Sequence, residues 1–380
     1  MAEGDFTSVI DSHEFDVGNG RDCSLVHVYG DIYAVAYRGI SDHGMIRTFE
    51  IDSAGNIGAG NIDTMKFDDV NGQYTHMIHV SGTVYAIAYT GTSNRPYCAT
   101  VNIANDGSMG DTAIEKVEFD NAGSDSFFIL HTTGNFYAIA YKGWLDQGRI
   151  VTLEISAAGD IAAAITDSLF FDTGFARNPV IVHVFGEIYA IAYEGPDSDG
   201  FVKTVNIDAS GDVGAATIDA WEFDTDMCLV PSFLHVAGNT YAIAYETSGD
   251  DGKVITFAID NTGNITAAVI DFLVFDSVSC YSPFMIHISR DCYAVAYMGD
   301  LSDGWSCTFD IEADGTISGA IIDSLEFDTG YCSFPNLVHV SGSVYAVAYQ
   351  GVDDDGWLKT IDIETIFPSG QRHELIMGIG

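Results

Sequence analysis

The sequence predicts an all-β protein made of seven equal modules closed into a ring, and two observations predict it. The pentapeptide Tyr-Ala-x-Ala-Tyr begins at Tyr33 and recurs six more times, with a constant step of 52 residues. Seven units of 52 residues account for 364 of the 380 residues, which leaves no room for a second large domain. A fixed period near 50 is typical of arrays in which each unit buries its apolar face only against its neighbours.

Each unit carries four short apolar stretches with the near-alternating pattern of β-strands. In the fourth copy these are residues 180–184, 188–193, 202–207 and 217–223. The turns after the first and third stretches are compact, whereas residues 194–200 form a longer acidic loop. Four antiparallel strands repeated around a circle are the blades of a β-propeller. We name the strands of a blade a, b, c and d in chain order, and we expect strand a to be innermost.

The two ends of the chain predict how the ring closes. Residues 8–16 form a d-type stretch before the first full unit, and the last unit stops after its c-type stretch at Ile363. Pairing the first stretch with the last three would complete the seventh blade and remove an exposed sheet edge, which otherwise invites aggregation. We therefore expect a propeller over residues 1–363 and a tail over residues 364–380.

Four polar positions keep their residue type in all seven copies, and in the fourth copy they are Asp172, His183, Tyr193 and Thr204. One Asp, one His, one Thr and one aromatic residue per blade resemble the buried tetrad of WD-repeat propellers, and the Tyr-x-x-x-Tyr second strand is similar to kelch blades. The Trp-Asp dipeptide of the first and the Gly-Gly pair of the second are absent, so the resemblance covers residues 8–363 at the level of the propeller class. It implies a structural network in each blade. A metal ring of seven histidines is not expected, because equivalent residues of seven blades lie too far apart to share one ion.

The charge balance narrows the choice of partners. Against 55 Asp and Glu the chain has 14 Lys and Arg, a net charge of -41, which also fits plain solubility or adaptation to high salt. Such a surface repels nucleic acid and anionic membranes and attracts basic proteins. The chain shows neither an export signal nor 18 consecutive apolar residues, so we expect a soluble protein, cytoplasmic if the start is native. Seven cysteines without a CxxC pair indicate reduced thiols.

Motifs of known enzymes are absent from the sequence, including GxSxG, HExxH and the P-loop. An acid opens each d-type stretch, Asp167 for example, but catalytic carboxylate pairs are singular rather than sevenfold. The sequence therefore predicts that the chain is not an enzyme and binds no cofactor. A lyase or hydrolase over the channel mouth ranks third among the functional alternatives. It would need a unique acid and base, and His76 stands outside the sevenfold histidine series.

Loop variation predicts where a ligand would bind. In an antiparallel meander the d-to-a and b-to-c loops emerge on one face of the disc, and the a-to-b and c-to-d turns emerge on the other. The d-to-a loops differ almost completely between copies, as a single asymmetric binding site would require. The predicted ligand-binding face comprises Arg21, Tyr74, Phe175, Arg177, Tyr281, Phe284, Tyr331 and Phe334.

The leading functional prediction is a monomeric, non-enzymatic binding or scaffold module that recognises an unknown protein or other ligand through this loop face. Carbohydrate binding is the alternative, because Trp305 and Trp357 share one register beside acidic residues and aromatic rings stack on sugars. The acidic b-to-c loops, such as residues 352–356, also suit weak Ca²⁺ binding through clustered carboxylates. Asp-Gly pairs are equally the ordinary chemistry of a tight turn.

Overall fold

The computed structural model describes residues 2–365 and consists of seven four-stranded antiparallel sheets arranged as a ring. The predicted seven-bladed β-propeller is confirmed. In chain order the strands are β1 (Phe6–Asp16), β2 (Arg21–Tyr29), β3 (Ile32–Arg38), β4 (Gly44–Glu50), β5 (Asp63–Asp68), β6 (Gln73–Ser81), β7 (Val84–Thr90), β8 (Pro96–Asn102), β9 (Glu115–Glu118), β10 (Asp125–His131), β11 (Phe136–Lys142), β12 (Gly148–Glu154), β13 (Asp167–Asp172), β14 (Arg177–Phe185), β15 (Ile188–Glu194), β16 (Gly200–Asn206), β17 (Asp219–Asp224), β18 (Leu229–Ala237), β19 (Thr240–Glu246), β20 (Gly252–Ile259), β21 (Ile265–Asp276), β22 (Tyr281–Ser289), β23 (Cys292–Met298), β24 (Gly304–Asp310), β25 (Asp323–Asp328), β26 (Ser333–Ser341), β27 (Val344–Gln350) and β28 (Gly356–Ile363).

Blades 1 to 6 each take four consecutive strands, starting with β2 to β5, and blade 7 consists of β26, β27, β28 and β1. The innermost a-strands contact one another around the channel. Short 3-10 turns join b to c in six blades: Ile40–Asp42, Thr92–Asn94, Trp144–Asp146, Pro196–Ser198, Asp300–Ser302 and Val352–Asp354. Of the predicted tail, residues 366–380 lie outside the described part of the chain.

The ring closes as the two ends predicted. Strand β1 pairs antiparallel with β28, so that His13 lies opposite Leu358 and Glu14 opposite Trp357. The segment before β1 also takes the place of a c-to-d turn in blade 7, because the carbonyl of Gly4 accepts the Thr308 hydroxyl as Gly55 accepts that of Thr360. Both bonds measure 2.6 Å between oxygens, and Gly4 and Gly55 share a φ of +86°.

The repeated pentapeptide packs large side chains of one blade into the small face of the next. Alternate residues of a strand face opposite sides of the sheet, so the two tyrosines share one side and the two alanines the other. In blade 4 the alanines are Ala190 and Ala192, and they contact Tyr241 and Tyr245 of blade 5 in one core cluster. All four side chains are fully buried. The small alanines leave room for the neighbouring tyrosines, which explains why both residue types recur in every copy.

Three polar contacts cross each interface between blades. The Asp at the end of strand d accepts the hydroxyl of a tyrosine in strand b of the next blade, and Tyr193 Oη lies 2.7 Å from Asp172 Oδ2. The buried Thr204 hydroxyl donates to the carbonyl of Gly263 at 2.6 Å. The acid that opens strand d accepts a backbone N–H, as Asp167 does from Val213 at 2.9 Å. These contacts repeat around the ring and hold it closed.

The four residues predicted to form one network are therefore divided among separate contacts. The bond between Asp172 and Tyr193 joins strand d of blade 3 to blade 4, and the bond of Thr204 joins blade 4 to blade 5. His183 does not reach either of them, since its Nε2 lies 2.9 Å from the carbonyl of Gly186 in its own a-to-b turn. All seven histidines of the series make this local contact, so they fix turns and not the interfaces between blades.

Cations are concentrated at the interfaces between blades. Within residues 2–365, six Lys and Arg side chains pair with an Asp of the Asp–Tyr series. The pairs are Arg47–Asp16, Lys116–Asp68, Arg149–Asp120, Lys203–Asp172, Lys253–Asp224 and Lys359–Asp328. Desolvation would raise the pKa of the Asp172 carboxyl, but bonds from Lys203 and Tyr193 outweigh it and leave that pKa below its ordinary value. These six cationic side chains thus stabilise the interfaces between blades.

Two further features bear on the sequence predictions. All seven cysteines are buried and none is joined in a disulfide. Within residues 2–365 no helix has the length and hydropathy that crossing a bilayer requires.

Candidate functional site

On the loop face, one backbone bond per blade joins the two sets of loops, although their sequences diverge. A residue of each d-to-a loop donates its N–H to a carbonyl in the b-to-c loop of the preceding blade, at 2.7 to 2.9 Å. The donor and acceptor pairs are Gly20–Asp354, Gly72–Asp42, Ser124–Asn94, Ala176–Asp146, Cys228–Ser198, Cys280–Asp250 and Cys332–Ser302. The donors are small and buried, which explains the three equivalent cysteines. The two variable loop sets therefore form one continuous surface.

A cavity of about 280 Å³ opens at the centre of this face, at the mouth of the channel. Its rim consists of one residue from each a-strand, at a bulge where the pairing of strands a and b shifts register. All seven residues have a positive φ, between 44° and 57°. They are Asp22, Tyr74, Ser126, Asn178, Val230, Ser282 and Phe334. A positive φ is uncommon for residues other than Gly and is strained for a β-branched residue such as valine.

The second layer of the cavity lies two residues further along each a-strand. Here four polar side chains each cap a backbone N–H on the inner edge of the next blade, because that edge has no partner strand. Ser24 accepts from Met77, His76 from Ile129, Ser232 from Met285 and Asn336 from Leu25, at 2.9 to 3.2 Å. Phe128, Val180 and Phe284 occupy the other three places.

One imidazole and one carboxyl share the cavity. His76 accepts the Ile129 N–H through Nδ1, which places the ring proton on Nε2, and its ring centroid lies 4.1 Å from that of Phe128. Burial lowers the pKa of His76 to about 4, so the ring is neutral at physiological pH. Desolvation raises the pKa of Asp22, although the bond from the Tyr74 N–H opposes the rise. The cavity can therefore offer a neutral donor and a carboxyl to a bound molecule.

The structure brings together three of the eight residues predicted for the ligand-binding face. Tyr74, Phe284 and Phe334 line the cavity. The other five lie on the same face outside it and are Arg21, Phe175, Arg177, Tyr281 and Tyr331.

The two arginines of that set already have partners. Arg21 forms an ion pair with Asp354 of blade 7. The guanidinium carbon of Arg177 lies 4.5 Å from the centroid of Phe175, and its Nη2 lies 3.9 Å from Asp146. These contacts fasten loops to one another and leave less positive charge for a ligand than the sequence indicated.

Two acidic residues near the cavity were not singled out in the sequence. Glu194 and Glu246 end the b-strands of blades 4 and 5, and each is 4 % exposed. Burial, together with Asp250 and Glu194, raises the pKa of Glu246 to about 7. The equivalent positions in the other blades hold no acid, which is the signal that could have identified the pair.

Several exposed apolar side chains lie on the b-to-c and d-to-a loops. The most exposed is Leu301, at 85 %. The others on these loops are Val17, Ile40, Val70, Trp144, Leu145, Val278, Tyr331 and Val352, and Tyr74 and Phe334 of the rim are exposed as well. Exposed apolar side chains on one face of a protein are a feature of protein–protein interfaces.

The predicted calcium loops do not assemble a multidentate site. In residues 352–356, Asp354 is bound to Arg21, and in the b-to-c loops of blades 1 and 3, Asp42 and Asp146 are bound to Arg38 and Lys142. Across residues 2–365, no three His, Cys, Asp or Glu side chains are placed so that they could hold a metal ion. Weak Ca²⁺ binding stays a prediction.

Comparison with models of protein families and with curated protein sequences found no match. Among solved structures the chain is similar to BBS1N, crystallised in complex with ARL6DN, with 10% identity, a TM-score of 0.58 and coverage of 95% of this chain and 98% of that one. It is similar to Sqt1 from Chaetomium thermophilum, with 12% identity, a TM-score of 0.54 and coverage of 95% and 100%. It is also similar to a candidate 6-phosphogluconolactonase from Bacteroides uniformis, with 12% identity, a TM-score of 0.59 and coverage of 80% and 85%.

These similarities show the fold and correct one prediction. The inference that the chain is not an enzyme is wrong, because it took the repeated architecture and missing motifs as grounds against catalysis. A candidate lactonase has the same architecture. At 12% identity the likeness assigns no activity to this chain either.

Proposed function

We propose that the protein binds a partner protein through its loop face, with the central cavity at the middle of the interface. The observation that carries the proposal is the group of exposed apolar side chains on loops that backbone bonds hold in place. A rigid surface loses little conformational entropy on binding, so apolar contacts made there yield more affinity.

The charge of the face indicates the character of the partner. Near the mouth, Arg21, Arg38, Lys142 and Arg177 are each paired with an aspartate. The surface therefore presents apolar groups in a strongly negative field. A partner with basic residues around an apolar centre would be attracted and would bury that centre.

A protein of the same fold offers limited support. BBS1N was crystallised in a complex with ARL6DN, so a propeller of this architecture can serve protein binding. No residue correspondence follows at 10% identity.

The glycan alternative gains no specific support. Trp305 and Trp357 are partly buried against the b-to-c loops, next to Gly299 and Gly351, and the Nζ of Lys359 lies 5.9 Å from the Trp357 ring. A sugar would have to displace these contacts to stack on the rings. Binding of glycans, exclusion of nucleic acid and a monomeric state stay predictions.

Site-specific photocrosslinking tests the proposal. A benzophenone amino acid replaces Leu301 or Leu145 on the loop face, and replaces Phe185, which is 57 % exposed on the opposite face, as the matched control. We expect both loop-face positions to capture the same protein from source-cell extract, in an amount that falls as NaCl is raised. The purified partner should then bind the unlabelled chain, and Leu301→Asp should weaken that binding. Equal capture from Phe185, or no common product from the two loop-face positions, would contradict the proposal.

A further inference from the structure

The inner edge of the ring has seven equivalent backbone N–H groups, and only four of them have a side-chain cap. The ladder places Ile181 opposite Ile191, Phe233 opposite Ile243 and Leu337 opposite Val347. The equivalent Leu25 donates its N–H inward to Asn336, so this register directs these N–H groups away from strand b.

The other three N–H groups have no cap because the preceding blade carries an apolar side chain at the position of the acceptor. Phe128, Val180 and Phe284 stand in the places of Ser24 and Ser232, so no side chain of the described chain caps the N–H of Ile181, Phe233 or Leu337. Val180 and Phe233 both line the cavity, at the junction of blades 4 and 5. A donor without a partner in an apolar setting costs free energy that a ligand oxygen can recover.

Three side chains that line the cavity each keep an N–H donor. Asn336 uses its Oδ1 to cap Leu25, so its amide nitrogen remains for a ligand. His76 uses Nδ1 in the same way and keeps its proton on Nε2. Asn178 accepts the Ser126 hydroxyl through Oδ1, which again leaves an amide nitrogen. These three side chains thus use an acceptor within the protein and keep an N–H donor, whereas the Asp22 carboxyl, whose Oδ2 accepts the Tyr74 N–H, also lines the cavity.

The lining of the cavity and the charge of the protein limit the kind of ligand that could carry the acceptor oxygen. Prolines, Val180, Val230 and Phe334 give the cavity an apolar lining, and no Lys or Arg of residues 2–365 lines it. Asp22 and the net charge of -41 oppose an anion.

We infer that the central cavity is a binding site for an uncharged apolar group that carries a carbonyl oxygen, held between blades 4 and 5 by the N–H of Phe233. The inference deepens the proposed function, because it names the group that a partner or free ligand would place at the centre of the loop face. It concerns the cavity alone, so it can hold where capture at Leu301 fails.

Three probes with one ring and different polar groups test it. Acetophenone supplies a neutral carbonyl, benzoate an anion and 1-phenylethylammonium a cation, and binding to the full chain is followed by ligand-detected NMR titration. We expect acetophenone to bind measurably and the two ions to bind at least tenfold more weakly. Preference for the cation would mean that Asp22 governs the site and would overturn the inference.

Substitutions of Val180 test how much the Phe233 N–H contributes to acetophenone binding. Val180→Ser introduces the cap that Ser24 and Ser232 already provide in their blades, whereas Val180→Ala shortens the side chain without an acceptor. We expect acetophenone to bind Val180→Ser about fivefold more weakly than Val180→Ala. Equal affinities would contradict the role of the Phe233 N–H.

A plug variant verifies the location. Ser282→Phe places in blade 6 the side chain that Phe334 carries at the same backbone conformation in blade 7. It should abolish acetophenone binding while circular dichroism and the melting temperature show a folded protein. Retained binding would place the probe elsewhere and overturn the inference. If Ser282→Phe fails to fold, the comparison of Val180→Ser with Val180→Ala decides.

Discussion

The contacts between blades and the rim of the channel mouth use the sevenfold repeat in opposite ways. At the interfaces the residue type is constant, and each copy makes the same bond, as Tyr193 does with Asp172. At the rim the backbone conformation is constant, with a positive φ in every blade, but the residue changes from Asp22 to Val230. Constant residue types therefore mark structural contacts, both between blades and within turns, whereas a constant conformation with variable residue types marks the surface that can differ between blades.

The largest effect should come from breaking an interface. Asp172 accepts bonds from the Tyr193 hydroxyl, the Lys203 ammonium and the Gly174 N–H. Asp172→Ala leaves a buried hydroxyl and a largely buried cation without that carboxylate, so we expect the free energy of unfolding to fall by about 3 kcal/mol. Urea unfolding followed by circular dichroism measures the change.

Asp276 offers a matched control in another blade. It accepts the Tyr297 hydroxyl at 2.9 Å in the same geometry, but no cation pairs with it among the ion pairs of residues 2–365. Asp276→Ala should therefore cost less than Asp172→Ala. If both substitutions left stability unchanged, the constant contacts would not be what holds the ring closed.

The interface and the rim also differ in how far the sequence predicts them. The 52-residue step, the four stretches per unit and the leading d-type stretch predicted the propeller and its closure by β1, because these features follow from periodicity and edge pairing. The bond of His183 to its own turn was not predicted, since equal repetition does not distinguish a local partner from a distant one.

The rim was harder to predict for a physical reason. Asp22 and Asn178 are residue types that tolerate a positive φ, but Tyr74, Val230 and Phe334 disfavour it, so the seven rim positions share no residue type that would signal the bulge. Its geometry depends on register shifts between neighbouring strands, which single-strand patterns do not contain. Loop divergence did identify Tyr74, Phe284 and Phe334, but it could not separate cavity residues from loop contacts such as Arg177 with Phe175.

A second and smaller effect concerns Glu246, which with Glu194 forms the acidic pair beside the rim. It tests how the stability of the protein depends on pH. The folded chain holds a proton on Glu246 up to a pKa of about 7, whereas the unfolded chain releases it near 4.5. Between these pH values the folded state binds more protons, so the free energy of unfolding falls as pH rises.

Glu246→Gln removes the titration and should be more stable than the parent by about 2 kcal/mol at pH 8, after allowance for water that reaches the carboxyl. At pH 4 the two should agree within about 0.5 kcal/mol, because Glu246 is then protonated in both states. Urea midpoints at both pH values provide the measurement, and the difference between variants cancels every other titration. A constant difference across this range would show that Glu246 is ionised in the folded protein.

The smallest effect tests whether the rim carries strain. Val230 has a φ of +44°, and Asn178 holds the equivalent place one blade earlier at +47°. Asparagine tolerates positive φ better than a β-branched residue, so Val230→Asn should raise the free energy of unfolding by about 1 kcal/mol. Val230→Thr is the control, because it keeps the branch and adds a polar atom, and it should give no gain. If asparagine stabilises the protein and also weakens acetophenone binding, Val230 serves the cavity wall and not the fold. A residue type that its own backbone conformation disfavours would then be explained by binding at the rim.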